Sequence, residues 1–215
     1  MCEFSAESLG RVVVAGAGVS GAGCVRLLAR VGADVRVADD NETARFRVQE
    51  ATGVEAWSTA QLRESLDSVD LVVTSPGWRP DSAVLVAAAE AGVEVIGDVE
   101  LAWRLDSAGA CGAPRTWLAI TGTNGKTTTT AMAAAMLSEG GFKAEAVGNI
   151  GVSVGDALLA EPRIDVIVAE LSSFQLHWSS TIHPAAGVLL NLADDHIDWH
   201  GSFDAYALAK AKLLD

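Results

Sequence analysis

The residues with the clearest chemistry lie in the segment 120–130, which reads ITGTNGKTTTT. The hydrophobic run WLAI leads into its glycine-rich turn, and the helix-forming run AMAAAML follows it. Backbone N–H groups of such a turn bind phosphate, Lys126 adds a positive charge, and the Thr127 hydroxyl can bind Mg²⁺. The candidate nucleotide-binding residues are Gly122, Thr123, Asn124, Gly125, Lys126, Thr127 and Thr128. The segment therefore predicts a site for a nucleoside triphosphate such as ATP.

The match to the general phosphate-loop pattern is incomplete. That pattern has a glycine six positions before the lysine, and this chain has Ile120 there. A glycine turn capped by threonines, without any ligand, is the alternative interpretation. The strand pattern before the turn and the helix pattern after it favour phosphate binding.

A second glycine-rich turn, residues 16–21, reads GAGVSG and follows the short apolar run RVVVA. The next strand pattern ends at Asp39 and Asp40, where Rossmann folds place an acid that binds ribose. The turn suits a dinucleotide, another nucleoside diphosphate, or tight packing of a strand on a helix. Asp39 could equally cap the helix that begins near residue 42. The sequence predicts a nucleotide-like ligand without deciding its class.

A third candidate loop follows the strand pattern VDLVVTS and begins with Ser75, Pro76 and Gly77. It lies at the carboxyl end of a strand, where open α/β sheets bind their ligands. Proline fixes the backbone there, and glycine permits close approach of a bound molecule. Ligand contact and a simple turn both remain open for this loop.

Candidate metal ligands follow later strand patterns. Glu170 ends the apolar run VIVAE, where it could bind Mg²⁺ or cap the next helix. The polar run after Asn191 offers Asp194, Asp195, His196, Asp198 and His200, and no pattern selects among them. By pattern alone, Lys210 is a solvated lysine on the last helix.

Composition excludes several functional classes. The chain has 215 residues, half of them hydrophobic, and a net charge of −13, which argues against nucleic acid or an anionic membrane as partner. Cys2, Cys24 and Cys111 are widely spaced, so we expect reduced thiols rather than a zinc site. The sequence shows no signal-peptide pattern and no membrane-spanning run, and we expect a cytoplasmic protein.

Strand patterns alternate with helix patterns along the whole chain, which predicts an α/β protein with parallel sheets. We predict an N-terminal Rossmann-like domain over residues 1–105 and a linker over residues 106–114. An incomplete P-loop ATPase α/β domain is expected over residues 115–215. Within it, the segments LSSFQL and 192–201 are predicted to be loops.

Five motifs together resemble the cytoplasmic Mur ligases of peptidoglycan synthesis. In chain order they read TGTNGKTTT, GNIG, ELSSFQL, NLADDHIDWH and YALAKAKL. The resemblance implies a ligase in which ATP phosphorylates the carboxylate of a UDP-sugar, and an amino acid attacks the acyl phosphate with release of ADP and phosphate. ELSSFQL, with SPG and GDVELAWR upstream, most resembles the branch that adds D-glutamate to UDP-N-acetylmuramoyl-L-alanine.

The resemblance also implies roles for individual residues. Lys126, Glu170, His196 and Lys210 are the implied catalytic residues; Thr127 and Glu170 would hold one Mg²⁺, and His196 with a carbamylated Lys210 a second. The implied UDP-sugar residues are Val19, Ser20, Asp39, Asp40, Ser75, Pro76, Gly77, Asn149 and His196. In this family the GAGVSG turn binds the UDP diphosphate, so NAD is no longer the expected ligand.

One departure from the family is the length of the chain. The ligases carry more of the central domain and a third domain that binds the amino acid, so no D-glutamate site is expected in residues 1–215. We expect no ligase turnover by this chain alone and a monomer for the complete enzyme. Related Mur ligases, folate polyglutamate ligases and a non-catalytic nucleotide-binding remnant are the alternatives.

Overall fold

A computed structural model describes residues 7–214 and begins with a parallel sheet of five strands. The strands follow the order β3-β2-β1-β4-β5, and every neighbouring pair is parallel. Their bounds are β1 Arg11–Ala15, β2 Asp34–Ala38, β3 Ala56–Trp57, β4 Leu71–Thr74 and β5 Glu94–Gly97. The central strands β1 and β4 are almost wholly buried, as expected for β-branched runs covered by helices on both faces.

The helices of this first unit connect consecutive strands. They are α1 Val19–Arg30, α2 Glu42–Thr52, α3 Thr59–Glu64, α4 Ala83–Glu90 and α5 Asp98–Ser107, with short 3-10 helices at Glu7–Leu9 and Leu66–Ser68. The side chain of Asn41 caps α2, and Ser58 forms a capping box with Gln61 at α3.

The second unit is a parallel sheet of four strands in the order β7-β8-β6-β9. Its strands are β6 Thr116–Thr121, β7 Ala144–Gly148, β8 Val166–Glu170 and β9 Ala186–Leu189. Its helices are α6 Lys126–Glu139, α7 Val154–Leu158, α8 Ser173–His177, α9 Ile197–His200 and α10 Phe203–Ala211, followed by a 3-10 helix at Lys212–Leu214. The predicted α/β class with parallel sheets is confirmed.

Two local predictions were wrong. The LSSFQL segment contains α8, because Ser172 and Gln175 form a capping box that starts a helix. The segment 192–201 contains α9, which begins directly after His196. The last two residues of α5 fall within the predicted linker 106–114, and the buried Asp106 carboxylate accepts hydrogen bonds from Arg115.

The predicted reduced thiols fit the described residues. Cys24 is buried and Cys111 half-buried, and both are free. Cys2 and the N-terminal residues in which no signal peptide was recognised lie outside the described residues. Between residues 7 and 214, none of the helices is long and apolar enough to cross a membrane.

The two units are joined by a close crossing of α1 and α7. A Cβ atom on Gly23 would lie 2.2 Å from the Ser153 hydroxyl, and one on Gly155 would lie 2.7 Å from the Gly23 carbonyl oxygen. Beside the crossing, Arg26 donates two hydrogen bonds to Asp156, at 2.7 and 2.8 Å. The helices therefore touch backbone to backbone, and a bidentate ion pair fixes their relative position.

A buried carboxylate makes a second junction between the units. Glu100 on α5 accepts hydrogen bonds from the backbone N–H groups of Ser180 and Thr181, at 3.0 and 3.1 Å, and from the Thr181 hydroxyl at 2.7 Å. Arg104 donates to the same carboxylate at 2.8 Å. Burial alone would raise the pKa of Glu100, but these donors hold it below the usual value.

Asp98, the first residue of α5, is buried where α1, α5 and α8 meet. Its Oδ2 atom lies 3.5 Å from the Gln175 amide nitrogen, and its Oδ1 atom has no hydrogen-bond partner among residues 7–214. Burial raises the pKa of Asp98 to about 6, although hydrogen bonds from Gln175 and Ser20 favour the charged form. The junction therefore holds a carboxylate at a cost in stability when that group is charged.

We expect replacement of Asp98 by Asn to remove a pH-dependent loss of stability. An unfolded aspartate loses its proton near pH 3.8 and the folded one near 6, so between these values the folded state holds more protons. Stability then falls as pH rises, by about 3 kcal/mol in total. In urea unfolding from pH 4 to 8, the free energy of unfolding of Asp98→Asn should increase relative to that of the wild type by up to this amount. The exposed Asp67→Asn is the control, and a gap between Asp98→Asn and wild type that does not change with pH would contradict the account.

Candidate active site

The glycine-rich turn after β6 has the backbone of a phosphate loop. Gly122 and Gly125 have φ angles of 150° and 82°, which favour glycine, and α6 begins at the next residue, Lys126. The N–H groups in the first turn of a helix have no acceptors within the helix, and Gly125 provides no side-chain cap. The turn therefore presents backbone donors to an anion at the start of a helix of 14 residues.

The segment after β9 holds this loop in place. The Asn191 side chain accepts from the Asn124 N–H and donates to the Asn124 carbonyl oxygen, both at 3.0 Å. The Asn191 carbonyl accepts from the Thr123 N–H at 3.1 Å, and the Ala193 N–H donates to the Thr123 hydroxyl at 3.0 Å. The loop is therefore preorganised, by a residue that the sequence analysis did not assign to it.

Lys126 folds back over the loop, with its ammonium group donating to the Thr123 carbonyl oxygen at 2.9 Å. Thr127 and Thr128, the next residues of α6, are exposed. The predicted nucleotide-binding residues thus form one continuous turn with a cation beside its backbone donors.

Lys210 on α10 is almost wholly buried under the loop, with 2% of its surface exposed. Its ammonium group donates to the Gly122 carbonyl at 2.9 Å and to the Thr121 hydroxyl at 3.3 Å, and it lies 5.0 Å above the Tyr206 ring. The Tyr206 hydroxyl lies 2.7 Å from the Thr123 hydroxyl. The pattern-based prediction of a solvated Lys210 was wrong, because α10 packs this face against the loop.

Burial lowers the pKa of Lys210 to about 8, and the positive charge of Lys126 acts in the same direction. Asp195 and Glu170 raise the pKa of Lys210 but do not outweigh burial. A substantial fraction of this amine is therefore neutral at mildly alkaline pH, and only a neutral amine is a nucleophile.

Glu170 ends β8 and has 1% of its surface exposed. Its Oε1 atom accepts from the Asn149 amide at 2.9 Å, and its Oε2 atom has no hydrogen-bond partner among residues 7–214. The helix-cap alternative for Glu170 was wrong, because Ser172 caps α8. A buried carboxylate oxygen without a partner fits a cation ligand, since leaving it unpaired is costly.

His196 lies beside the second unit's aromatic residues, with φ at 52° and its ring 4.6 Å from that of Phe174. Its Nε2 atom is 3.4 Å from Asp195 Oδ2. His200 is different: its Nε2 atom is buried, and burial, followed by nearby His177 and His196, lowers its pKa to about 4.

Over residues 7–214, no group of three or more His, Cys, Asp and Glu side chains is arranged to hold a metal. The predicted ligand set is of another kind, since it combines a hydroxyl, one carboxylate, one imidazole and a modified lysine. It stays a prediction.

The first unit contains a cleft of about 510 Å³ at the carboxyl ends of its strands. Its lining residues are Gly16, Gly18, Asp39, Ser75, Gly77, Trp78, Arg79, Asp81 and Ser82. The cleft brings together the GAGVSG turn, Asp39 and the SPG loop, which are far apart in sequence. Arg79, Asp81 and Ser82 were missed, because no motif marks them.

The carboxylates of Asp39 and Asp40 have partners within the first unit. Asp39 accepts from the N–H groups of Ala17 and Asn41, at 2.7 and 2.8 Å, and so shapes the glycine turn. The helix-cap alternative for Asp39 was wrong, because the Asn41 side chain caps α2. Asp40 accepts from Thr59, at the start of α3.

The other predicted substrate residues are not among the described residues that line this cleft. Val19 is 73% exposed at the start of α1, and the hydroxyl of Ser20 faces Asp98. Asn149 and His196 belong to the second unit, and Pro76 lies between two lining residues. A ligand that contacts all of them would have to extend from the first unit to the second.

Two family models match consecutive parts of the chain. The model described as Mur ligase MurD-like, N-terminal domain, matches residues 10–97, which contain the five-stranded sheet. The model described as Mur ligase middle domain matches residues 120–215, which contain the phosphate loop.

Two similar sequence relatives share one name. The chain is 64% identical over 205 residues to UDP-N-acetylmuramoylalanine--D-glutamate ligase of Corynebacterium efficiens. It is 60% identical over 209 residues to the protein of that name from Corynebacterium diphtheriae. These matches cover 95% and 97% of this chain but 43% and 44% of the relatives, so the chain spans less than half of their length.

Solved structures share the fold. UDP-N-acetylmuramate:L-alanyl-gamma-D-glutamyl-meso-diaminopimelate ligase from Neisseria meningitides is 21% identical with a TM-score of 0.57, covering 95% of this chain and 67% of that one. UDP-N-acetylmuramate-alanine ligase from Thermotoga maritima is 23% identical with a TM-score of 0.55, covering 95% and 46%. These structures show the fold alone. The two family models, over residues 10–97 and 120–215, and the high identity to the corynebacterial relatives show that the chain belongs to the Mur ligase family.

Proposed function

We propose that the chain is part of an ATP-dependent ligase that adds D-glutamate to UDP-N-acetylmuramoyl-L-alanine in peptidoglycan synthesis. The observation that carries the proposal is the pairing, across the α1–α7 crossing, of a phosphate loop on the second unit with a nucleotide-sized cleft on the first. The name shared by the corynebacterial relatives supports the choice of D-glutamate.

Each unit would bind one phosphate-containing substrate. Residues 1–105 form the proposed UDP-sugar domain, joined by residues 106–114 to residues 115–215, the proposed ATP-binding part. In the proposed reaction ATP phosphorylates the substrate carboxylate, and the D-glutamate amine displaces phosphate from the acyl phosphate. Lys126 and the N–H groups at the start of α6 would stabilise the charge on the transferred phosphoryl group.

Mg²⁺ fits the donor atoms near the loop. Thr127 and Glu170 would hold one ion, because the unpartnered Glu170 oxygen and the Thr127 hydroxyl are hard oxygen ligands. His196 and a carbamylated Lys210 would hold a second. A bound Mg²⁺ supplies charge neutralisation for the phosphates.

Lys210 is proposed to act as a carbamate. The neutral amine, favoured by burial, would add to CO₂ and release a proton, which converts a cation into an oxygen ligand that would join His196 at the second ion. Without this modification the buried ammonium group would repel the metal.

The acidic character of the chain is consistent with small-molecule partners. The net charge of −13 argues against nucleic acid as a partner, and we propose ATP, the UDP-sugar and D-glutamate as the substrates of the complete enzyme. We propose a cytoplasmic enzyme, monomeric when complete, without a membrane-inserted segment.

Isothermal titration of the 215-residue chain with two UDP-sugars tests the proposed substrate. We expect tighter binding of UDP-N-acetylmuramoyl-L-alanine than of its tripeptide homologue. The reacting carboxylate must reach the phosphate loop, and a longer peptide fills the space where it would lie. A preference for the tripeptide form would indicate a different member of the family.

Replacement of Lys126 by Ala is expected to weaken ATP binding by about 100-fold, because a charge-assisted hydrogen bond to phosphate contributes up to about 3 kcal/mol. Lys143→Ala, at an exposed lysine that directly precedes β7, is the matched control and should bind ATP normally. Fluorescent ATP-analogue titration measures both. Equal affinities of Lys126→Ala and wild type would show that the loop does not bind the triphosphate.

A further inference from the structure

The cleft of the first unit contains a single cationic side chain among its lining residues. Its charged groups are Asp39, Arg79 and Asp81. The carboxylate of Asp39 is occupied by the N–H groups of Ala17 and Asn41, so it is not directed at a ligand. A nucleoside diphosphate carries at least two negative charges, and Arg79, which is ion-paired with Asp81, is the only cationic side chain in this lining.

Arg79 is held in place with donors to spare. Its Nε and Nη2 atoms donate to Asp81, at 2.9 and 3.1 Å, and its Nη1 atom donates to the Asp198 carbonyl at 3.0 Å. A guanidinium group has five N–H bonds, so these three contacts leave one on each Nη atom. The side chain is therefore preorganised, and one N–H group on each Nη atom remains to donate to a phosphate.

The loop that carries Arg79 packs on the GAGVSG turn. A Cβ atom on Gly16 would lie 2.6 Å from the Ser75 hydroxyl and 3.0 Å from the Trp78 ring nitrogen. Next to Gly18 the space is open, with no atom within 4 Å of a built Cβ, and Gly18 makes no side-chain cap on α1. Arg79 and the uncapped start of α1 thus face one cleft from adjacent loops.

We propose that Arg79 binds the diphosphate of the UDP-sugar, together with the first turn of α1. This inference rests on the proposed function and adds a residue that the family motifs did not indicate. Because Arg79 also donates to the carbonyl of Asp198 on α9, it places the diphosphate at the contact between the two units. The sugar can then extend from the first unit toward His196 and the phosphate loop.

The test compares wild type, Arg79→Ala, Arg79→Lys and the control Arg47→Ala, which removes the same charge from an exposed position on α2. UDP and UDP-N-acetylmuramoyl-L-alanine are titrated by calorimetry at two salt concentrations, with ATP as a probe of the second unit. We expect Arg79→Ala to lose affinity for both uridine nucleotides by about tenfold or more, with a weaker salt dependence. Arg79→Lys should be intermediate, and Arg47→Ala unchanged.

ATP affinity should be the same in all four proteins, which separates loss of a phosphate contact from general damage. Equal UDP affinity in Arg79→Ala and wild type would overturn the inference. A loss for the UDP-sugar but not for UDP would place the contact at the sugar, and a parallel loss of ATP affinity would assign Arg79 a structural role; both overturn it. If wild type binds neither uridine nucleotide, the proposed function itself fails.

Discussion

The arrangement of both candidate sites depends on the contact between α1 and α7. Two glycines, Gly23 and Gly155, allow the helices to meet without side chains between them, and the Arg26–Asp156 pair fixes the angle. Gly18, which directly precedes α1, lines the first cleft, and α7 packs against the unit that carries the phosphate loop. A shift at this crossing would change the distance that the sugar substrate must span, so close backbone contact here sets the geometry of the chemistry.

Positive side chains are concentrated at the phosphate loop although the chain as a whole is acidic. Although the net charge is −13, Lys126 and Lys210 both lie at the phosphate loop. Burial lowers the pKa of Lys210, which makes its amine available for reaction. Buried acids, in contrast, connect the two units: Glu100 and Asp106 each accept several hydrogen bonds from the other unit. Asp98 has an oxygen without a donor, so its charged form lowers the stability of the fold.

Local patterns were sufficient to predict the α/β class, both glycine-rich turns and the strand-end positions of Glu170 and Ser75. Each of these features is determined by a few consecutive residues, because the same short segment forms the turn and the start of the helix that follows it. The residues that support the site were not predictable in this way. Asn191 holds Asn124 from 67 positions away, and Arg79 reaches Asp198 across 119. The burial of Lys210 was also not predictable from local sequence, because the residues around it are typical of a solvated helix and tertiary packing alone buries its side chain. The α8 helix was predictable in principle from its S-x-x-Q cap.

We expect the two units to open as one cooperative body because α1 and α7 cross in close contact. Native-state hydrogen exchange through a urea series can measure this, by comparing the free energy of opening at the buried amides of β1 with that at β8. A common free energy is expected in the wild type. In Gly155→Val, whose side chain would collide with the Gly23 carbonyl, the two values should separate. Different opening energies for β1 and β8 in the wild type would show that the two units open independently.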